Sequence, residues 1–344
     1  MAEITKFEID MLSVGAADAF LLHAFIKNPS NGEWEYIVLI DAGNEGDGKK
    51  ILKHIEKYYH QQYVDLAICT HCDSDHYGGF KELIDEHNNS NSSFEIKNFW
   101  VHDPYNHVDL DDVKYVRTKP SLRERLKEAY AFNDGSNLLD LIDAAKIKRE
   151  EPFTGTAYSL LNIEVLGPDK DYYESLIPGF RLNLDFKDEQ EDEEYNCQKH
   201  FSQTEDEFYS KALEDAPDDG SSVNQSSVIL CFEAKGNKYI FTGDAGKDAL
   251  HRIVDNDERY DYANIRWLKI PHHGSKHNLD NAIISHFHPD TSYISTEKYG
   301  KYASRCTVFA LKKVGGVYST HKHGNMQHQS GTKDRDGYSS AKSL

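Results

Sequence analysis

His71, Cys72, Asp73, Ser74, Asp75 and His76 put four imidazole or carboxylate side chains within six residues, and Tyr77-Gly78-Gly79 follows directly. Imidazole nitrogen and carboxylate oxygen together suit divalent transition metals, so the run reads as a metal site. In an extended segment His71 and Asp73 project to the same side. The turn then carries Asp75 and His76 round to face them from another direction, and two adjacent metal ions are the natural outcome. The plainer alternative is a polar surface turn that solvates a loop and caps the next helix. It does not explain why ligands of the right type recur far along the chain, as Asp244 in Phe241-Thr242-Gly243-Asp244 and as His272-His273 in Pro271-His272-His273-Gly274-Ser275.

Each cluster follows an apolar run of strand character. Val64-Asp65-Leu66-Ala67-Ile68-Cys69-Thr70 predicts a buried strand ending at His71, and a helix from Phe80 to Glu86 begins just after the two glycines. Lys238-Tyr239-Ile240-Phe241 leads to Asp244, and Ile265-Arg266-Trp267-Leu268-Lys269-Ile270 leads to the His pair. The three clusters are expected to meet at one edge of a sheet.

Taken together, these segments resemble the metallo-β-lactamase fold, specifically the ComEC-like branch found in DNA-uptake proteins and phosphorylcholine esterases. The superfamily motif HxHxDH stands here as the HxDxDH form of that branch, with Asp73 in the place of the second His. Met11 to Ala19 resembles the opening strand and its VGxGD turn, and Val38 to Gly43 the strand ending in DxG. Asn224 to Leu230 resembles the NxSLVL strand, and His288-Pro289-Asp290 with Tyr293-Ile294-Ser295 fits the closing strand. The likeness runs from about residue 7 to 325. It departs at Tyr299-Gly300-Lys301-Tyr302-Ala303-Ser304, where the branch commonly carries a YGHP-like element with a His. A third His for the first metal is also not evident. Only His102 and His107, in Trp100 to His107, stand in a comparable place, and either is a ligand or a loop residue held by solvent and hydrogen bonds.

The resemblance implies an α/β fold, an αββα sandwich with an acidic insertion, in one domain over residues 1–325. It implies metal ligands His71, Asp73, Asp75, His76, Asp244 and His273, with Asp244 bridging two ions; zinc is the first expectation and manganese its rival. Solvent bridging the ions would have its pKa brought from about 15.7 toward about 7, supplying hydroxide as the nucleophile. Asp75 and His272 are assigned to catalysis, His272 as a general acid, an alternative ligand or a supporting group. Ser275 and Lys276 are expected to meet a phosphate, Asp41 to orient a ligand from behind, and Asp18, Asn224 and Ser226 to brace the scaffold.

The expected activity is phosphodiester hydrolysis, by a nuclease or a phosphodiesterase acting on a nucleotide or short nucleic acid. A lactonase or thioesterase-type carbonyl hydrolase of the same fold is the alternative, and a metal-keeping interaction protein the third class.

Composition agrees. The 344-residue chain is 38% apolar, with 21 Tyr and 16 Phe as core material, and a formal charge of −19 argues against indiscriminate nucleic-acid binding. Lysines after the His pair, including Lys298, Lys301, Lys312 and Lys313, offer a local basic patch. The surplus acid concentrates in an expected insertion at about 169–222, which contains Asp188 to Glu194, Glu205-Asp206-Glu207 and Asp215 to Gly220. It reads as a solvated arm or as a lid or protein-partner site. Between Arg117 and Arg149, the stripe Leu122, Leu126, Ala129, Tyr130 reads as scaffold helix, and residues 326–344 as a polar, flexible tail. Five cysteines without disulfide-like spacing suggest a reducing compartment, and Cys69 and Cys72, alone as a CxxC, do not read as a zinc ribbon. Met1 to Lys6 lacks a signal-peptide core and no stretch is apolar enough to span a bilayer, so a cytoplasmic protein without membrane contact is expected.

Overall fold

The first strands alternate between two apolar environments, which fixes the architecture. In β1 (Ile4–Met11), Phe7, Ile9 and Met11 point into a central core, while Glu8 and Asp10 are buried on the opposite face. The computed structural model describes residues 3–27, 32–109, 120–182, 204–256, 262–297, 303–335 and 338. β1, β2 (Ala19–Lys27) and β3 (Glu33–Ala42) form an antiparallel ribbon. It is continued in parallel by β5 (Leu66–Ile68), β7 (Asn98–Trp100) and β8 (Lys148–Glu150). A short pair, β4 (Tyr63–Val64) and β6 (Glu95–Ile96), stands apart.

The second sheet mirrors this plan. β9 (Ala157–Tyr158), β10 (Ile163–Gly167), β11 (Ile229–Ala234) and β12 (Asn237–Phe241) are antiparallel, and β13 (Trp267–Lys269), β14 (Thr291–Ile294) and β15 (Gly316–Ser319) continue in parallel. Between the sheets lie Phe7, Phe20, Ile40, Ile68, Phe232, Phe241 and Trp267. Phe7 meets Phe232 edge to face at 5.1 Å and Phe20 meets Phe241 at 5.7 Å, contacts that lock one sheet onto the other. Helices cover both outer faces: Gly48–His54, Phe80–Asn88 and Leu138–Ala144 on the first sheet, and Lys247–Val254, Asn281–Phe287 and Arg305–Lys312 on the second. This is the αββα sandwich expected from the motifs.

Three expectations are corrected. The strand read across Val64 to Thr70 breaks at Asp65. Its buried carboxylate accepts from the Ile37 N–H at 2.8 Å and pairs with Lys97, so Tyr63–Val64 leave the sheet to pair with β6. The tail read from residue 326 begins instead with β16 (Met326–Ser330), antiparallel to β1, and Arg335 beyond it pairs with Glu8 and Asp10. The insertion at about 169–222 is in part built into the body: Tyr172, Tyr173, Phe180 and Leu213 are buried, and the Tyr209 ring lies 5.0 Å from Phe309. Residues 183–203, with the acidic run Asp188 to Glu194 and Cys197, lie outside the described residues, as do Lys298 and Lys301.

Leu122, Leu126, Ala129 and Tyr130 pack into the first sheet's outer core as scaffold. Cys69, Cys72, Cys231 and Cys306 are buried and in no disulfide. Among the described residues no helix is long and apolar enough to cross a membrane.

Candidate metal centre

Parallel strands end side by side, and each loop leaving those ends delivers one group to a common crevice. Asp41 closes β3, His71 follows β5, Asp244 follows β12, His273 follows β13 and Ser295 follows β14. After His71 the chain turns into a short helix, Ser74–Tyr77, which presents Asp75 and His76. Gly79 is required behind it, because a Cβ there would collide with the Ala42 carbonyl and the Gly48 nitrogen. His272 and His273 both adopt left-handed backbone, φ 43° and 52°, between Pro271 and Gly274. Consecutive non-glycine residues in that region mark a loop whose side-chain positions are over-determined by their surroundings.

Asp75, His76, Asp244 and His273 converge so that one ligand atom from each lies within 4.8 Å of the others. His76 Nε2 is 3.3 Å from Asp244 Oδ2 and 3.9 Å from Asp75 Oδ2, and His273 Nε2 is 3.3 Å from Asp75 Oδ2. His71 stacks beside His76, ring centres 4.1 Å apart, with its Nε2 3.6 Å from Asp73 Oδ2. All six expected ligands thus stand in one neighbourhood, four of them in the tight group.

The outer contacts decide which nitrogen faces inward. His76 Nδ1 donates to Asp41 Oδ2 at 2.8 Å, and His273 Nδ1 to the Ser295 carbonyl at 2.9 Å. His71 Nδ1 meets the hydroxyls of Thr70 and Ser227 at 3.1 and 3.2 Å. Every Nδ1 is engaged, so every Nε2 is turned to the crevice, the arrangement that orients imidazoles toward a metal. The Nε2 atoms of His71 and His76 are buried without a hydrogen-bond partner. Orphaned ring nitrogens ringed by carboxylates are a donor set that fits a divalent cation.

The electrostatics agree. Burial disfavours a charge on His76, yet Asp244, Asp41 and Asp75 hold its pKa well above the usual imidazole value. Burial would likewise raise Asp244, but His76 and Lys269 hold it well below the carboxylate range. Lys269, fully buried, pairs with Asp18 and lies 3.2 Å from Asp244 Oδ1. Asp18 also accepts from the Ser295 hydroxyl and sits 3.8 Å from His76 Nδ1, so it belongs to the charge network of the centre and is more than the scaffold brace expected. Asp41 stands behind His76 as anticipated, and its other contacts are the Thr70 N–H and hydroxyl.

On the opposite rim, His272 Nδ1 donates to Asp219 Oδ2 at 2.9 Å, and the His272 N–H donates to Asp244 Oδ1 at 3.1 Å. Burial opposes protonation of His272, but Asp219 and Asp244 outweigh it and push the pKa up to about 9. Asn224 braces Asp219 through its side-chain amide at 2.8 Å, and Ser226 bonds the Val223 carbonyl. Neither bonds the His71 loop; that task falls to Ser227 and to the Val228 N–H on the Thr70 carbonyl. Ser275 and Lys276 are half-buried at the rim, and the Ser275 hydroxyl accepts from the His277 N–H.

His102 and His107 go elsewhere. His102 is buried between the Phe153 and Tyr173 rings, with centres 4.6 and 4.4 Å away, and His107 bonds Glu151 and Glu174. Neither belongs to the ligand groups among the described residues. Cys72 turns into the outer core, where burial pushes its thiol up to about 12.

Four contributors escaped the motifs. Lys269 left one trace, a charge in the middle of an apolar strand. Asp219 was hidden in an acidic run and Ser227 in a strand motif. Arg181, whose Nη1 donates to Asp73 Oδ1 at 2.7 Å, carried no local signal at all.

Residues 32–140 match the family model described as the metallo-beta-lactamase superfamily. ComE operon protein 3 of Bacillus subtilis (strain 168) is 34% identical over 90 residues, which are 26% of this chain and 11% of that protein; the match spans about a tenth of the relative's length. The metallo-beta-lactamase fold protein YhfI from Bacillus subtilis is 9% identical, covering 90% of this chain and 96% of that one, with a TM-score of 0.42. A long form RNase Z from yeast is 11% identical over 83% of this chain and 36% of that one, with a TM-score of 0.37. The family match, which runs from β3 to the helix Leu138–Ala144 over about a third of the chain, and the likeness to ComE operon protein 3 support a metallo-β-lactamase-fold, ComEC-like protein.

Proposed function

We propose that the protein is a metal-dependent hydrolase that cleaves phosphodiesters in a nucleotide or short nucleic acid. The observation that carries this reading is the convergence of Asp75, His76, Asp244 and His273, with an Asp219-held His272 on the rim. Asp75, His76, Asp244 and His273 would hold a divalent ion, zinc first and manganese as rival, which when bound supplies Lewis-acid polarisation and a nucleophile at neutral pH.

This chain's own residues do the rest. Asp41, Ser295 and the Thr70–Ser227 hydroxyl pair keep the three imidazoles turned inward, so the ligands need no reorganisation when substrate arrives. Lys269 offsets the charge of Asp18 and Asp244 from below. Asp219 accepts a hydrogen bond from His272 Nδ1, which leaves the Nε2–H of the imidazolium to donate a proton to the leaving oxygen. The His272 imidazolium, with Arg181 on the other side of the centre, favours an anionic substrate, and Ser275 and Lys276 extend that preference along the rim. The resemblance of the HxDxDH and His-pair motifs to those of DNA-uptake proteins supports nucleic acid as the substrate class.

The test is hydrolysis of bis(p-nitrophenyl) phosphate by the metal-analysed protein with Zn²⁺ and Mn²⁺ added separately, beside Asp75→Asn and a lactone and thioester panel. Metal-dependent release lost in Asp75→Asn supports the reading. Turnover of a lactone or thioester with no release from the diester overturns it in favour of a carbonyl hydrolase.

A further inference from the structure

Arg181 lies in the long connection between β10 and β11, more than 100 residues from the ligand run it touches. Its Nη1 holds Asp73 Oδ1 and its Nη2 donates to the Cys72 carbonyl, so the guanidinium is tied to both a carboxylate and the backbone of the His71–His76 segment. Asp73 is thereby already partnered by a cation before any metal is considered.

The His71–Asp73 side is short of donors in other respects. Among the described residues it has of its own one imidazole nitrogen, His71 Nε2, and one carboxylate oxygen not held by Arg181, Asp73 Oδ2, at 3.6 Å. The tight ligand group among the described residues includes neither. His102 and His107, the residues that could have completed this side, are committed to an aromatic sandwich and to two glutamates. An ion here would have, among the described residues, two donors of its own beside a share in Asp244, and one of the two shares its charge with a guanidinium. Arginine stays charged at any working pH, so it cannot yield by losing a proton, and a cation beside it would be repelled in a pocket where screening is weak.

We propose that the protein holds a single divalent ion, on Asp75, His76, Asp244 and His273, and that Arg181 takes the place of a second ion on the His71–Asp73 side. The inference rests on the reading of those four residues as metal ligands. It changes what the His71–Asp73 pair is for: the carboxylate anchors the guanidinium, and the orphaned His71 Nε2 is left to bond solvent or substrate beside the ion.

The test counts ions without using activity. The purified full chain is loaded with Mn²⁺ and, separately, with Zn²⁺, desalted, and assayed by elemental analysis, with electron paramagnetic resonance on the manganese form. One ion per chain is expected, with the spectrum of an isolated Mn²⁺, unchanged in Asp73→Asn and lost in Asp75→Asn. Arg181→Met is expected to approach two ions per chain with an exchange-coupled spectrum, whereas Arg181→Lys stays at one. Two coupled ions in the unaltered protein, loss of an ion in Asp73→Asn, or a folded Arg181→Met that still holds one would each overturn the proposal. Failure of the unaltered protein to hold any ion would overturn the ligand reading as well. Should Arg181→Met not fold, Asp73→Asn asks the same question with Arg181 untouched.

Discussion

The Asp41 carboxylate accepts the Nδ1 proton of His76 across 2.8 Å and also takes two hydrogen bonds from Thr70, so one buried acid fixes both an imidazole and the end of the strand that delivers His71. Asp41→Ala should lower divalent-ion affinity about 10- to 100-fold while the fold survives. Competition against a coloured chelator, with far-ultraviolet circular dichroism as the folding control, measures this. Unchanged affinity would remove Asp41 from the centre.

Lys269 is the counter-charge for Asp18 and Asp244 in a place without solvent. Lys269→Met strands two carboxylates and should cost about 3–5 kcal/mol in urea unfolding of the metal-free protein. A loss under 1 kcal/mol would mean that the two acids find other partners.

Asp219 reaches His272 from the acidic run Asp215 to Gly220. If it sets the donor geometry of His272, Asp219→Asn should reduce kcat on the diester about 10- to 100-fold with KM little changed, and His272→Gln should reduce it at least as much. A change confined to KM would make the pair a binding device.

His102 carries its own pH signature. Burial between Phe153 and Tyr173 lowers its pKa to about 3, against about 6.5 in an unfolded chain. A folded-state value below the unfolded one means that the unfolded chain takes up the proton first, so stability is full above about pH 6.5 and is lost as pH falls toward 3. The contribution at pH 5 is a loss of about 2 kcal/mol relative to neutral pH. His102→Phe should shrink the difference between urea midpoints at pH 7 and pH 5 by that amount; an unchanged difference would assign the acid sensitivity elsewhere.

The insertion divides into two parts with opposite expectations. Leu213 is buried, the Ala216 carbonyl accepts from Lys247, and Asp219 holds His272. Removing residues 204–220 should therefore abolish diester cleavage and depress the melting temperature, while removing 185–203 should leave both nearly intact. Equal tolerance of the two deletions would refute this division.

Much of the site was legible because its chemistry is local. His71 to His76 sit in one turn, and Asp244 and His273 each follow an apolar run, so periodicity and residue type were enough to bring them to one crevice. The two-sheet sandwich was implied by the resemblance of the motifs to the metallo-β-lactamase fold. What escaped was long-range. Arg181 and Asp219 acquire meaning only when the connection after β10 folds back over the crevice, and no spacing records that return. The tail was misjudged for the same reason, since Met326–Ser330 is polar in composition and becomes a strand only because β1 offers it unpaired backbone. Asp65 broke an expected strand because a buried carboxylate took a backbone partner that an apolar residue could not.

The pairing of β16 with β1, Phe7 opposite Ser330 and Met11 opposite Met326, has a consequence for how the molecule is made. A ribosome releases β1 long before β16, so in the interval β1 carries a bare row of amides and carbonyls along that edge, a template for neighbouring nascent chains. Glu8 and Asp10 wait equally long for Arg335. Loop-closure entropy makes so distant a pairing slow, and the first sheet reaches its final form only after β16 has emerged.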